Sequence, residues 1–407
     1  MALLPVADAL DRLLADAAPV ARTERIALAD AEGRILAEDL AARLTQPPFD
    51  NSAMDGYAVR HADIAEPGSV LRVVGQAAAG HFFEGTAGPG EAVRIFTGAP
   101  LPAFADTVLL QEDAERLEDG RIRTTFVTAK GRHIRRRGQD FTEGEIVLRA
   151  GDRLDAGRLT VAAAMNHPAV AVRARPRVAL LATGDELVAV GTTPGPGRII
   201  ASNSFGVAAI ARAAGAEVID LGIVADDRDA LLAAVGQVRD LGIDVLVTLG
   251  GASVGDHDLV QPVLREAGME LDFWRIAMRP GKPLMVGRMA GVRVVGLPGN
   301  PVSSLVCSTL FLEPLVRRLA GLPPLDRLRR AVTATPLRQN EHRQDYMRAS
   351  LSRTPSGEWA VTPFDKQDSS MMKDFARSDA LIVRPPFAPP AAAGEACDIL
   401  LLRESAG

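Results

Sequence analysis

Between residues 177 and 321 the apolar positions alternate between two rhythms. The run 177–182 is short and continuous and predicts a strand. Ser202, Asn203 and Ser204 then supply cap chemistry for a helix through Val207, Ile210 and Ala211 that stops at Gly215. Residues 217–224 are strand-like, and 227–241 carry Leu231, Leu232, Val235 and Val238 at helical spacing. The nearly unbroken β-branched and Leu run 244–249 predicts a strand buried on both faces. A helix near 260–266, a strand at 292–297 and a long helix over 302–319 complete the series. This alternation implies a doubly wound, mostly parallel sheet.

The flanking segments have another rhythm. Residues 42–146 are short alternating runs separated by turns, at 70–75, 92–96, 107–110 and 121–124, and predict a β-rich domain. Segments 26–40 and 148–172 read as two halves of a connector through which the chain leaves and returns. After Pro323-Pro324 the pattern is β again, with strands at 345–351 and 380–383 and a Pro/Ala loop at 385–393.

Composition narrows the classes. At 407 residues the chain exceeds one ordinary core, and usual scaling gives roughly two to four domains. A net charge of −5 argues against a nucleic-acid binder held by a global positive field, so recognition of anions must be local. Two cysteines, Cys307 and Cys397, provide neither a disulfide framework nor a cysteine-rich metal site, and a reducing cytoplasm is expected. The first 17 residues have a helical apolar face broken by Asp8, Asp11, Arg12 and Asp16, unlike a signal peptide. No run is long enough to span a bilayer.

Candidate chemistry lies where the predicted strands end. Four loops follow strands of the α/β segment: Thr183-Gly184-Asp185-Glu186, Asp226-Asp227, the stretch 250–258, and Leu297-Pro298-Gly299-Asn300-Pro301. Ligands of open α/β sheets bind outside the carboxyl ends of the strands, so these loops predict one site for an anionic ligand. Gly250 and Gly251 let backbone N–H groups approach an oxyanion, Ser253 is a donor, and Asp256 and Asp258 suit Mg²⁺. The rival reading is a tight strand-to-helix turn with a capping Asp. Asp226-Asp227 opens a helix, where the dipole alone favours acids. Arg279-Pro280-Gly281-Lys282 sets two cations around a turn, a clamp for a tetrahedral oxyanion or a solvated surface turn. The basic run 132–137 and the polar loop 51–57 are each open to plain surface readings. The six histidines show no zinc spacing, and a histidine or cysteine nucleophile is not expected.

Taken together in order, these motifs resemble the molybdopterin molybdenumtransferase, or MoeA, family, to which the enzymatic end domain of gephyrin is also similar. The resemblance spans nearly the whole chain. It is carried by Asn51-Ser52-Ala53-Met54-Asp55-Gly56-Tyr57-Ala58, Arg94-Ile95-Phe96-Thr97-Gly98-Ala99-Pro100, Gly138-Gln139-Asp140, Ala182-Thr183-Gly184-Asp185-Glu186-Leu187, Ser202-Asn203-Ser204, Gly250-Gly251-Ala252-Ser253-Val254-Gly255, Arg279-Pro280-Gly281-Lys282-Pro283 and Leu297-Pro298-Gly299-Asn300-Pro301-Val302-Ser303.

The resemblance implies a multidomain α/β plus β protein. A MogA-like α/β subdomain would take residues 1–20 and 174–323, a β-rich inserted subdomain 42–140, a connector 21–41 with 141–173, and a C-terminal β domain 324–407. It implies a cytoplasmic homodimer of molybdenum cofactor synthesis that inserts molybdate into adenylylated molybdopterin with Mg²⁺ and releases AMP. No nucleic acid or membrane partner is implied, and other proteins of cofactor synthesis are possible partners. Arg279, Lys282 and Ser303 are implied at molybdate, joined by Arg343 or Arg348 and by Ser369 or Ser370 from the C-terminal domain, with Pro298 and Pro301 beside the substrate. Gly250, Gly251 and Ser253 would seat phosphates. Glu186, Asp226 and Asp258 would bind or orient Mg²⁺, and Asp55, Thr97 and Asp140 would act from the partner subunit. The chain departs from the family pattern at Phe104, where glycine is usual and a bulky side chain disfavours positive φ, and at Ala380. Alternative readings are a molybdopterin-adenylylating enzyme and a gephyrin-type scaffold.

Overall fold

The computed structural model describes residues 3–251 and 259–403. They form two compact units, 1–22 with 173–407, and 23–172.

In the first unit, helix α1 (Val6–Leu14) precedes a six-stranded sheet built from β1 (Arg177–Thr183), β2 (Glu217–Val224), β3 (Val245–Leu249), β4 (Glu270–Arg275), β5 (Pro283–Met289) and β6 (Val292–Leu297). Its spatial order is β2-β1-β3-β6-β5-β4. The first four strands are mutually parallel, whereas β5 runs antiparallel to both β6 and β4. Strand β1 shows how the chain builds two layers. Val178, Leu180 and Ala182 enter one core with α1, and Ala179 and Leu181 enter the other, because successive side chains point to opposite faces. All five residues of β3 are buried, as its apolar run requires.

Helices α2 (Asn203–Ala213) and α5 (Pro301–Cys307) cover the first core, and α3 (Arg228–Asp240) and α4 (Val260–Glu266) the second. The long helix expected over 302–319 is interrupted. A π turn at Ser308–Leu312 separates α5 from α6 (Glu313–Leu319). Pro314 has no N–H for the Leu310 carbonyl and its ring would crowd that group, so the widened turn sits where a regular helix would clash.

The C-terminal part closes into a barrel. The five strands Leu328–Thr333, Gln344–Arg353, Trp359–Pro363, Ala380–Arg384 and Ala396–Leu401 pair in a ring, with Met278–Arg279 added alongside Gln344–Arg353. Tyr346 and Leu381 face the α/β core, while Ala349 and Ile382 fill the barrel. Buried Glu313 accepts two hydrogen bonds from Arg327, at 2.9 and 2.8 Å.

The second unit holds a six-stranded sheet ordered Thr107–Leu110, Gly56–Val59, Glu91–Ile95, Val70–Ala77, Arg121–Thr124, Ala114–Arg116. Gly56–Val59 corrects the reading of 51–57 as a polar loop. All four of its residues are buried. A Cβ on Gly56 would lie 2.0 Å from the Leu109 carbonyl oxygen, so only glycine lets these strands approach. The rest of the unit packs helix Ala156–Ala164 against Leu36, Leu154 and Val170. Phe104 has a negative φ and its ring lies under the Arg60 guanidinium, 5.1 Å from centroid to cation centre.

Candidate active site

The carboxyl ends of β1, β3 and β6 open onto a cavity of about 720 Å³. Thr183 and Glu186 line it from the first loop, Gly250 from the loop after β3, and Pro298, Asn300 and Pro301 from the loop after β6. Ser303, only 5 % exposed, adds a hydroxyl from α5. Ser202, Asn203 and Ser204 do not cap α2 as expected: Ser202 makes no side-chain cap bond and points to the Met372 sulfur at 3.6 Å, and Asn203 donates to the Gly299 carbonyl at 2.7 Å. The cap chemistry is diverted to bracing the cavity.

The barrel supplies the remaining wall. Ser370 and Met372 line the cavity. Ser369 is tied to the loop after β6: its hydroxyl accepts from Asn300 Nδ2 at 3.0 Å and its carbonyl from Val302 N–H at 3.0 Å. These bonds join residues almost 70 positions apart.

Not all of the predicted clamp is free. Arg279 is ion-paired with the buried carboxylate of Asp345, with Glu341 at 3.8 Å. The Asp345 hydrogen bond raises its pKa further. Lys282 is exposed and Arg343 partly buried. Arg348 is 1 % exposed, and burial lowers its pKa. Burial pushes the Cys307 thiol up, which removes it as a nucleophile, in line with the sequence reading.

Of the acidic residues in the loops after β1 and β2, Glu186 lines the cavity, and Asp185 and Asp226 lie near it without lining the cavity themselves. Asp226 N–H donates to Asp185 Oδ1 at 3.2 Å, and partial desolvation, followed by the charges of Asp185 and Glu186, raises the pKa of the Asp226 carboxyl. Asp227 is the N-cap of α3, accepting from Ala230 N–H at 2.9 Å, the plain capping role. Among the described residues no group of three or more His, Cys, Asp or Glu converges as a metal cage. Such a donor set suits Mg²⁺ only in its usual protein form, with one or two carboxylates completed by substrate phosphates and water. Ser253 and Asp258 lie outside the described residues.

In the second unit Asp55 and Thr97 meet. Asp55 Oδ1 accepts from Thr97 N–H at 2.7 Å and from its hydroxyl at 2.8 Å, and these bonds hold the carboxyl below its usual range. Arg94 lies over both the Tyr57 and Phe96 rings, at 5.1 and 4.9 Å. Asp140 lines a separate recess of about 390 Å³ with Gln46, Asn51, Arg135 and Gln139. Met372 and Asp345 carry no signal as site residues in the sequence; Met372 lines the cavity and Asp345 pairs with Arg279, whereas Asn203, Asn300 and Gln367 stood inside motif stretches without a bracing role being assigned to them.

Fold and site therefore define a multidomain α/β protein whose ligand cavity opens at the carboxyl edge of a doubly wound sheet and is walled partly by a C-terminal barrel. Three family models match in series: the MoeA N-terminal region (domain I and II) over 4–166, a probable molybdopterin binding domain over 179–318, and the MoeA C-terminal region (domain IV) over 330–402. A molybdopterin molybdenumtransferase of Haemophilus influenzae is 36% identical over 371 residues, 89% of this chain and 89% of that protein. One from Bacillus subtilis is 33% identical over 395 residues, 95% of this chain and 91% of that one. The crystal structure of a molybdopterin biosynthesis MoeA protein from Pyrococcus horikosii superposes with a TM-score of 0.83 at 30% identity, covering 99% of this chain and 100% of that one. The chain belongs to the MoeA family, the molybdopterin molybdenumtransferases.

Proposed function

We propose that this transferase of molybdenum cofactor biosynthesis inserts molybdate into adenylylated molybdopterin and releases AMP, in the presence of Mg²⁺. The observation that carries the proposal is the cavity shared by the β1, β3 and β6 loops, Ser303 and Ser370. Its size fits a substrate larger than an inorganic anion, and small-molecule pockets span about 300–1,000 Å³.

In this reading Gly250, Gly251 and Ser253 seat the pyrophosphate, with Pro298 and Pro301 shaping the wall. The hydroxyls of Ser303, Ser369 and Ser370, with Lys282, Arg279 and Arg343, orient molybdate beside the dithiolene sulfurs. Glu186 and Asp226, with Asp258, hold Mg²⁺, which neutralises charge on the phosphate link when bound. The protein contributes position and electrostatics more than a nucleophile. The active form is a homodimer, and the partner subunit's Asp55, Thr97 and Asp140 complete the site.

The test is AMP release from adenylylated molybdopterin by the purified protein with Mg²⁺ while molybdate is titrated. Release that rises with molybdate and saturates is expected. A folded protein that binds the substrate but releases no AMP at any molybdate concentration would sink the proposal.

A further inference from the structure

Arg348 is the largest fully enclosed side chain of the described residues, and it forms no ion pair with a described carboxylate, although Asp374 and Asp368 are near enough to act on its charge. Its donors go to one loop of the barrel. Nε donates to Gln367 Oε1 at 3.3 Å, Nη1 to the Met371 carbonyl at 3.2 Å, and Nη2 to the Lys366 carbonyl at 3.0 Å. Gln367 answers in kind. Its Oε1 also accepts from the Arg348 backbone N–H at 2.9 Å, and its Nε2 donates to the carbonyls of Arg348 and Phe364 at 3.0 and 2.8 Å. The Phe364 N–H closes the ring on the Arg348 carbonyl at 3.0 Å. Arg348 and Gln367 therefore anchor residues 364–371 to the barrel, with Asp368 bonding Ser370 within the loop, and that loop carries Ser369 and Ser370 to the cavity.

We propose that Arg348 is a positioning residue, not a ligand: clasped by Gln367, it holds the 364–371 loop so that Ser369 and Ser370 face the oxyanion end of the cavity. The inference rests on the molybdate-inserting reading above for the identity of the oxyanion. Its physical basis is the guanidinium fork, which spans several carbonyls in fixed directions where an ammonium cannot. The loop itself carries a carboxylate, Asp368, whose Oδ1 accepts from the Ser370 N–H at 2.8 Å and from its hydroxyl at 2.7 Å, so Arg348 acts on the loop through its carbonyls and not by lending positive charge to the cavity.

The test compares Arg348→Gln, Arg348→Lys and Gln367→Ala with wild type, alone and combined with Ser370→Ala. Hydrogen exchange at amides 366–371 is read in every variant whose thermal melt is cooperative. Molybdate binding to the protein alone is read by equilibrium dialysis, and molybdate half-saturation and kcat by AMP release. We expect faster exchange in all three variants. Oxyanion affinity should fall by about 10- to 100-fold, the usual consequence of a misplaced binding group, with kcat at saturating molybdate changed much less. Adding Ser370→Ala to Arg348→Gln should then cost less than the product of the single effects, because both act through one loop. A Gln367→Ala protein with wild-type exchange and affinity would overturn the proposal, as would multiplicative effects of Arg348→Gln and Ser370→Ala or full affinity in Arg348→Lys. A wild-type protein without molybdate-dependent AMP release would defeat the functional reading instead, and the exchange and dialysis measurements would still judge the loop.

Discussion

Gly250→Ala tests whether the cavity wall after β3 is rigid. Gly250 has φ +98°, and a Cβ there would stand 2.9 Å from the Thr183 carbonyl oxygen, on backbone that cannot rotate away. Gly222 provides the reference. It has φ +80° with nothing within 4 Å of an added Cβ, so Gly222→Ala carries only the conformational penalty. That penalty is roughly 1–2 kcal/mol. Forcing a methyl against packed neighbours adds about 1–3 kcal/mol, which puts Gly250→Ala at about 2–5 kcal/mol. The two tryptophans allow the α/β domain to be followed by itself, since Trp274 lies in β4 and Trp359 in the barrel. Urea unfolding read from Trp274 in a Trp359→Phe background should show both midpoints lowered, Gly250→Ala by more, with unchanged slopes. Equal shifts for the two variants would mean that the Thr183 strand end yields, and the picture of a wall preset for backbone approach to an oxyanion would be wrong.

Three further outcomes are expected. Thr97→Val removes one of the hydrogen bonds that keep Asp55 ionised, so the Asp55 pKa rises toward the ordinary value and the acid limb of the AMP-release profile moves to higher pH, whereas Thr97→Ser leaves it in place. Asp226 carries a raised carboxyl pKa, so its contribution to stability is present at acid pH and lost as pH rises through its folded value; without Mg²⁺, Asp226→Asn should therefore raise the melting temperature at pH 7 relative to wild type and bring no comparable gain at acid pH. Glu313→Gln strips the charge partner from Arg327 and should destabilise the joint between α6 and the barrel, by up to about 3 kcal/mol in urea unfolding and less to the extent that water reaches the Arg327 head group.

Elements whose signal is local were legible in the chain. β2, α4 and β6 were expected at the residues where they occur, because an apolar run or helical period needs no distant partner to be read. β5 was missed for a physical reason. It begins at Pro283 and carries Gly287, two residues that speak against a strand, yet Gly287 sits where a Cβ would approach the Glu270 carbonyl oxygen to 2.7 Å and only glycine fits. The site was legible to the same depth. Motif loops led to the cavity, but the pairing of Arg279 with Asp345 and the enclosure of Arg348 depend on how the barrel meets the sheet, 66 and more residues further along the chain.

Those pairings change how an oxyanion would be held. Arg279 already shares its charge with Asp345, a carboxylate that is 8 % exposed, so a dianion competing for the guanidinium would leave that carboxylate buried against a weakened partner. Arg348 faces carbonyls inside the barrel. Of the cations first assigned to the clamp, Lys282 is the exposed one for which no ion pair with a described residue occurs. Binding would then depend on the hydroxyls of Ser303 from α5 and Ser369 from the barrel loop more than on net positive charge, and on Ser370 only once its O–H leaves Asp368 Oδ1, to which it donates at 2.7 Å. Neutral donors fixed at set separations can discriminate between tetrahedral oxyanions by size, because a smaller sulfate or phosphate would not reach all of them, while a dense cationic site would attract each of these anions by charge alone. The cost of that selectivity is dependence on the loop 364–371, whose shape is set by a guanidinium that need not touch the ligand.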